Sequence, residues 1–203
     1  NLDRVGPTRA VQSGKISMRE MKNAVILFSI LSIISAVALI FISSEGKGSS
    51  FFVFYLILAL LSIFAAITYT IGKKAYGYNG LGDVFVFIFF GLVSTIGVYN
   101  LYPERIDLSN FKWEILLPAA SIGFLSVAVL NLNNMRDRIN DEKVGKNTLV
   151  VKMGGNIAKI YHAVLILLSI IFWSIYLVYF HGNNPWLYIL LFPALMLLLH
   201  VRR

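Results

Sequence analysis

Five stretches of this chain, residues 24–42, 51–71, 84–102, 115–132 and 160–180, contain no Asp, Glu, Lys or Arg at all. A helix needs about 20 apolar residues to cross a hydrocarbon core roughly 30 Å thick, so each stretch is long enough or nearly so. Residues 185–199 make a shorter sixth, opened by Pro185 and Trp186, a helix-start proline beside an interfacial aromatic. Strands of a membrane barrel are about half as long and alternate in polarity, and these runs do not alternate. The expected fold is therefore all-α: a polytopic transmembrane helical bundle with six helices in this chain. No polar domain or low-complexity linker divides it, so residues 1–203 read as a single transmembrane domain.

Composition agrees. Hydrophobic residues make up 58% of the 203 and charged ones only 14%, against roughly a quarter charged in soluble domains. The net charge of +8 could suggest a nucleic-acid partner, but such binders gather Lys and Arg on a folded polar domain, and no segment here is long and polar enough to form one. Topology accounts for the charge instead, because cytoplasmic loops retain Lys and Arg. With six helices, one side collects Arg4, Arg9, Lys15, Arg19, Lys22, Lys73, Lys74, Arg136, Arg138, Lys143, Lys146, Lys152, Lys159, Arg202 and Arg203. Only Lys47, Arg105 and Lys112 fall on the other. That basic side is expected to be cytoplasmic. The chain has no Cys, hence neither a disulfide framework nor a thiolate metal site. It begins at Asn1 without a basic-then-apolar leader and stops directly after an apolar run, so the domain is expected to be incomplete at both ends.

Three polar segments share the basic side. The richest is residues 133–148, Asn-Asn-Met-Arg-Asp-Arg-Ile-Asn-Asp-Glu-Lys-Val-Gly-Lys-Asn-Thr. If the preceding helix continues, Asn133, Asp137 and Asp141 recur every fourth residue on one face, a stripe of hard oxygen ligands. Mg²⁺ prefers carboxylate and phosphate oxygens and usually takes one or two carboxylates from the protein, so two aspartates at this spacing can hold a metal-bound diphosphate. Arg136, Arg138, Lys143 and Lys146 surround the stripe, and cations there stabilise charge growing on a leaving diphosphate. A bare Asp-x-x-x-Asp is also compatible with a solvated helix end carrying paired charges.

The second segment, residues 69–83, carries Gly72, Gly77, Gly80 and Gly82, with Tyr76, Tyr78 and then Asp83 at the mouth of an apolar helix. Glycines permit tight turns and close approach to a ligand. Asp83 equally suits a helix N-terminus through the macrodipole, and the tyrosines equally suit an interfacial belt. The first segment, residues 1–17, places a Gly6-Pro7 turn before Arg9 and Lys15, which could reach a phosphate or lie on anionic headgroups. Ser17 and Glu20 have capping-box spacing. His162 reads as structural or interfacial, and Asn100 and Asn131 as hydrogen-bonding between helices or lining a cavity.

Taken in order, Arg4-Val5-Gly6-Pro7-Thr8-Arg9 through Gly14, Tyr76-Gly77-Tyr78-Asn79-Gly80-Leu81-Gly82-Asp83 through Gly91, and Asn133 through Val151 resemble the UbiA superfamily of intramembrane prenyltransferases. Within it they look most like the branch acting on 1,4-dihydroxy-2-naphthoate in menaquinone synthesis. The resemblance implies a nine-helix bundle with two Asp-rich motifs on the cytoplasmic face of a bacterial inner membrane. Asp137 and Asp141 match the second motif, and the first would lie just upstream of Asn1, making a fragment without it inactive alone. Also implied are Mg²⁺ on the aspartates and a polyprenyl diphosphate donor. The aromatic acceptor loses carbon dioxide to give demethylmenaquinone. On this basis Asp137 and Asp141 are the metal ligands, and Asp83 joins them as a catalytic candidate. Arg136, Lys143 and Lys146 contact the donor's diphosphate, Asn133 and Arg9 are further substrate-binding residues, and Tyr76 and Tyr78 stand beside Asp83 on the acceptor side. Another acceptor such as 4-hydroxybenzoate is the alternative within the superfamily. Membrane CDP-alcohol phosphatidyltransferases place an Ala-Arg and a Gly before their Asp-x-x-x-Asp, a run this chain lacks. A transporter would carry charged residues inside its spans, and the five spans carry none.

Overall fold

The structure is a computed structural model that describes residues 10–11, 13–44, 48–69, 75–101, 112–182, 184–190, 192 and 196. Helix α1 (Met18–Ser43) opens on the expected capping box, where Ser17 Oγ accepts from the Glu20 amide at 3.2 Å and the Glu20 carboxylate accepts from the Ser17 amide at 2.7 Å. Helix α2 (Gly48–Thr68) returns beside it. Helix α3 (Gly82–Leu101) is π-helical over Phe87–Val93. A 3₁₀ turn at Trp113–Ile115 leads into α4 (Leu116–Lys143), and α5 (Leu149–His181) is kinked at Gly154. The described residues thus contain five helices long and apolar enough to cross a membrane, and the chain is an all-α polytopic membrane protein. Of the sixth expected span, Pro185–Leu190 forms a 3₁₀ turn, and apart from Phe192 and Met196 the remainder lies outside the described residues.

Hydrocarbon already surrounds these helices, so apolar contact between them gains little; close packing and interhelical hydrogen bonds must supply the association. The structure shows both. In the centre, Val127 and Ala128 of α4 pack on Leu165 and Ile166 of α5, with Val86 and Phe87 of α3 against them. Ser121 Oγ meets both the Ser169 carbonyl and its hydroxyl at 2.9 Å. Asn131, fully buried, donates to the Ala158 carbonyl at 3.1 Å, the interhelical role its position suggested. On the other flank Ile40, Phe51 and Tyr55 cluster with Leu101, and the Tyr55 hydroxyl donates to the Gly97 carbonyl at 3.0 Å.

The crossing of α3 and α4 depends on two glycines. A Cβ on Gly91 would lie 2.5 Å from Gly123 Cα and 2.8 Å from the Ala119 carbonyl oxygen, whereas one on Gly97 would meet nothing within 4 Å. Gly91→Ala must push the helices apart, and overpacking of this kind costs about 1–3 kcal/mol. Thermal unfolding in detergent should show Gly91→Ala clearly lowered and Gly97→Ala at or slightly above the parent, since alanine is the better helix former.

Candidate functional site

Helix α4 runs eleven residues beyond the apolar stretch ending at Leu132 and stops at Lys143. Asn133, Asp137 and Asp141 therefore stand on one continuous helix, as the spacing predicts. The stop is a C-terminal turn in which Gly145 takes φ +71 and the Lys146 amide donates back to the Asp141 carbonyl at 2.8 Å, a conformation only glycine adopts without strain. Thr148 then caps α5, its Oγ1 accepting from the Val151 amide at 3.2 Å. The Gly-Lys-Asn-Thr run is thus first a device for reversing the chain tightly at the polar end.

That reversal brings cations onto the carboxylates. Lys146 Nζ lies 2.9 Å from Asp141 Oδ2, and Arg136 grips Asp137 through Nε–H to Oδ1 at 2.9 Å and a terminal N–H to Oδ2 at 3.1 Å. Both carboxylates are largely withdrawn from water, at 10% and 13% exposure. The C-terminal end of a helix is its negative pole and disfavours acidic side chains, so Asp141, in the last turn, occupies a position that the helix dipole does not favour. Lys143 is exposed in the last turn, and Arg138 approaches Gly155 of α5. Asn133 is exposed while its neighbour Asn134 is buried; with Asp141 seven residues on, Asn134 belongs to the inward face. Arg9 lies outside the described residues, as do Lys73 and Lys74.

No group of three or more His, Cys, Asp and Glu side chains among the described residues could hold a metal by itself. Two carboxylates four residues apart, each already balanced by a cation, suit an ion that takes its other oxygens from a ligand's phosphates. In that sense the residues present fit Mg²⁺ arriving with a diphosphate.

The segment before α3 packs directly against this turn. Its short 3₁₀ turn, Tyr76–Tyr78, places the Tyr78 carbonyl to accept from the Asn147 amide at 2.9 Å, and Lys146 Nζ sits 5.9 Å from the Tyr78 ring centre. Tyr76 turns the other way: its hydroxyl donates to the Ala65 carbonyl of α2 at 2.7 Å, and its ring stacks on Phe85 with centroids 3.9 Å apart. Burial, with Tyr69 nearby, raises the Tyr76 hydroxyl above its ordinary pKa and keeps it a donor. Tyr69, Tyr76, Phe85, Phe89 and Phe90 wall an apolar cavity of about 540 Å³ between α2 and α3. Tyr76 therefore offers a ring to that cavity, while Tyr78 faces the charged turn. Asp83 is buried in the first turn of α3 and accepts a hydrogen bond from the Tyr161 hydroxyl of α5 at 3.1 Å. Tyr161 lies 78 positions away, in an apolar run where a tyrosine reads as packing, and sequence reasoning missed it.

The profile of the UbiA prenyltransferase family matches residues 2–203. The chain is 41% identical over 195 residues to the 1,4-dihydroxy-2-naphthoate octaprenyltransferase of Escherichia coli K12, covering 96% of this chain and 61% of that protein. To the Haemophilus influenzae protein of the same name it is 44% identical over 164 residues, 81% of this chain and 51% of that one. The Mycobacterium leprae protein of that name is 34% identical over 164 residues, covering 80% and 51%. The chain thus spans between about half and three-fifths of the length of these relatives. No solved structure matches it.

Removing the Tyr161 hydroxyl leaves the buried Asp83 carboxyl without its partner from α5, at an expected cost of about 1–3 kcal/mol. Tyr161→Phe should lower the unfolding midpoint in detergent, and Asp83→Asn combined with it should lose less than the sum of the two single changes.

Proposed function

This chain belongs to the UbiA prenyltransferase family, and on that premise we propose that the protein transfers a polyprenyl chain from polyprenyl diphosphate to 1,4-dihydroxy-2-naphthoate, in a bacterial inner membrane and at its cytoplasmic face. The observation that carries this reading is the 41% identity to a 1,4-dihydroxy-2-naphthoate octaprenyltransferase over 96% of the chain. The arrangement of the polar end supports it.

In the proposed reaction the allylic C–O bond breaks and its electron pair leaves with the diphosphate. The ring carbon bearing the carboxylate supplies the pair for the new C–C bond. The carboxylate departs as carbon dioxide, returning its pair to the ring and giving the reduced form of demethylmenaquinone. Asp137 and Asp141 would hold Mg²⁺, which when bound adds positive charge beside the leaving phosphates. Arg136 and Lys146, now on those carboxylates, would contact the phosphates with Lys143. Each can accept negative charge as it develops. Asn133 and Arg9 are assigned to substrate binding. Asp83, oriented by Tyr161, takes the acceptor side with Tyr76 and Tyr78. Aromatic walls such as those between α2 and α3 shelter a carbocation from water and favour it through their π faces.

The test uses the full-length protein in membranes with Mg²⁺, a polyprenyl diphosphate and either 1,4-dihydroxy-2-naphthoate or 4-hydroxybenzoate, following product by mass. Product from the naphthoate alone, lost on chelation, is expected. Product from the benzoate alone would keep the family chemistry and overturn the acceptor. Asp137→Asn or Asp141→Asn should lower turnover by about 10²-fold or more with the protein still folded; near-normal turnover would remove both from the metal site.

A further inference from the structure

Lys152 lies in the first turns of α5, exposed along its stem, yet its ammonium is committed: Nζ donates to the Asn79 carbonyl at 3.0 Å, across 73 residues of chain. The receiving loop is shaped for the approach. Gly80 takes φ +81, and a Cβ on it would lie 3.0 Å from Lys152 Nζ and 3.1 Å from the Asn147 carbonyl oxygen. Two residues before Gly80, the Tyr78 carbonyl accepts from the Asn147 amide at 2.9 Å. Three consecutive residues, Tyr78, Asn79 and Gly80, thus lie against the turn between α4 and α5. Two backbone carbonyls are used, and a side chain at Gly80 would be strained by the positive φ and would crowd the approach.

We propose that Lys152 is a positioning residue that fixes the Tyr76–Leu81 loop against the α4–α5 turn, so that Tyr78 and Asp83 keep a set place relative to Asp137 and Asp141. The role is distinct from that of the cations on the aspartates. Lys146 and Arg136 contact carboxylates, whereas Lys152 contacts a carbonyl of the opposite loop. A neutral acceptor gives a lysine no ion pair, so the geometric constraint is what the contact supplies. The loop closes on itself through the Tyr78 amide to the Ala75 carbonyl at 3.0 Å and the Asn79 amide to the Tyr76 carbonyl at 3.1 Å, and the Lys152 and Asn147 hydrogen bonds are what tie residues 78 and 79 to the opposite turn. The functional part of the inference rests on the acceptor-side reading of that loop; the structural part does not.

The experiment compares Lys152→Met, Lys152→Arg and Gly80→Ala in the full-length protein by amide hydrogen exchange and by steady-state kinetics. Lys152→Met should raise exchange across residues 76–82 and at Asn147 by about fivefold, the scale of one ordinary net hydrogen bond, and leave residues 116–130 of α4 unchanged. Lys152→Arg, which keeps a donor, should restore protection, and Gly80→Ala, which leaves the lysine but spoils its approach, should reproduce the loss. In turnover, Lys152→Met should raise KM for the aromatic acceptor about fivefold with KM for the polyprenyl diphosphate unchanged. Exchange that does not move overturns the proposal, and a rise in the diphosphate KM instead would make Lys152 a phosphate ligand and overturn it equally. If the parent protein consumes neither aromatic acceptor, the proposed reaction fails, and the exchange data alone decide whether Lys152 holds the loop.

Discussion

Hydrocarbon offers no partner to a peptide group, and this constraint orders everything else in the molecule. Each N–H and C=O within the bilayer must be satisfied inside its own segment, which leaves helices as the way for these apolar runs to cross. The same constraint drives the charged residues out of the spans, so whatever polar chemistry the chain performs has to be assembled where helices end. Helix ends, however, are where backbone groups go unpaired. The polar end of this bundle solves both problems with one set of residues: Gly145 turns the chain, Thr148 caps the next helix, and the Asn147 amide reaches across to Tyr78.

Placing carboxylates there runs against the helix field. Asp141 sits in the last turn of α4, at its negative pole, where cations are the stabilising choice, and Asp137 stands one turn earlier. Arg136 and Lys146 offset that penalty by pairing directly with them. The combination gives a site that is nearly neutral when empty of ligand yet contains separable positive and negative groups. In the proposed site the carboxylates would hold a metal and the side-chain cations would meet the phosphates that come with it.

Periodicity and charge-free length were enough to read the spans from sequence, because a bilayer imposes a single length and a single polarity on every crossing helix. The four-residue recurrence of Asn133, Asp137 and Asp141 was legible for the same reason: it needs only that α4 continue, and it does. What could not be read were contacts between segments far apart in the chain. Tyr161 on Asp83 and Lys152 on Asn79 join residues 78 and 73 positions apart, and nothing local distinguishes that tyrosine from a packing residue or that lysine from a topological charge. The π-helical stretch of α3 was equally hidden, as was the close approach of Gly91 within it to Gly123. Asn134 was passed over for Asn133 because adjacent asparagines differ only in which one the helix turns inward.

The loop between α2 and α3 links the two halves of the proposed chemistry. Within three residues it passes from an apolar wall to a charged edge: the Tyr76 ring stacks on Phe85 at the aromatic cavity, and the Tyr78 ring lies near Lys146, itself paired with Asp141. A substrate with a long apolar tail and a diphosphate head must place its cleavable bond where hydrocarbon gives way to charge, and an aromatic acceptor must meet it there. A loop that drifted would widen that boundary and admit water to a carbocation. Short turns, glycines that allow close approach and hydrogen bonds to the opposite loop are what keep it narrow. The cross-loop contacts are therefore as much a part of the proposed site as the carboxylates, although none of them need touch a substrate.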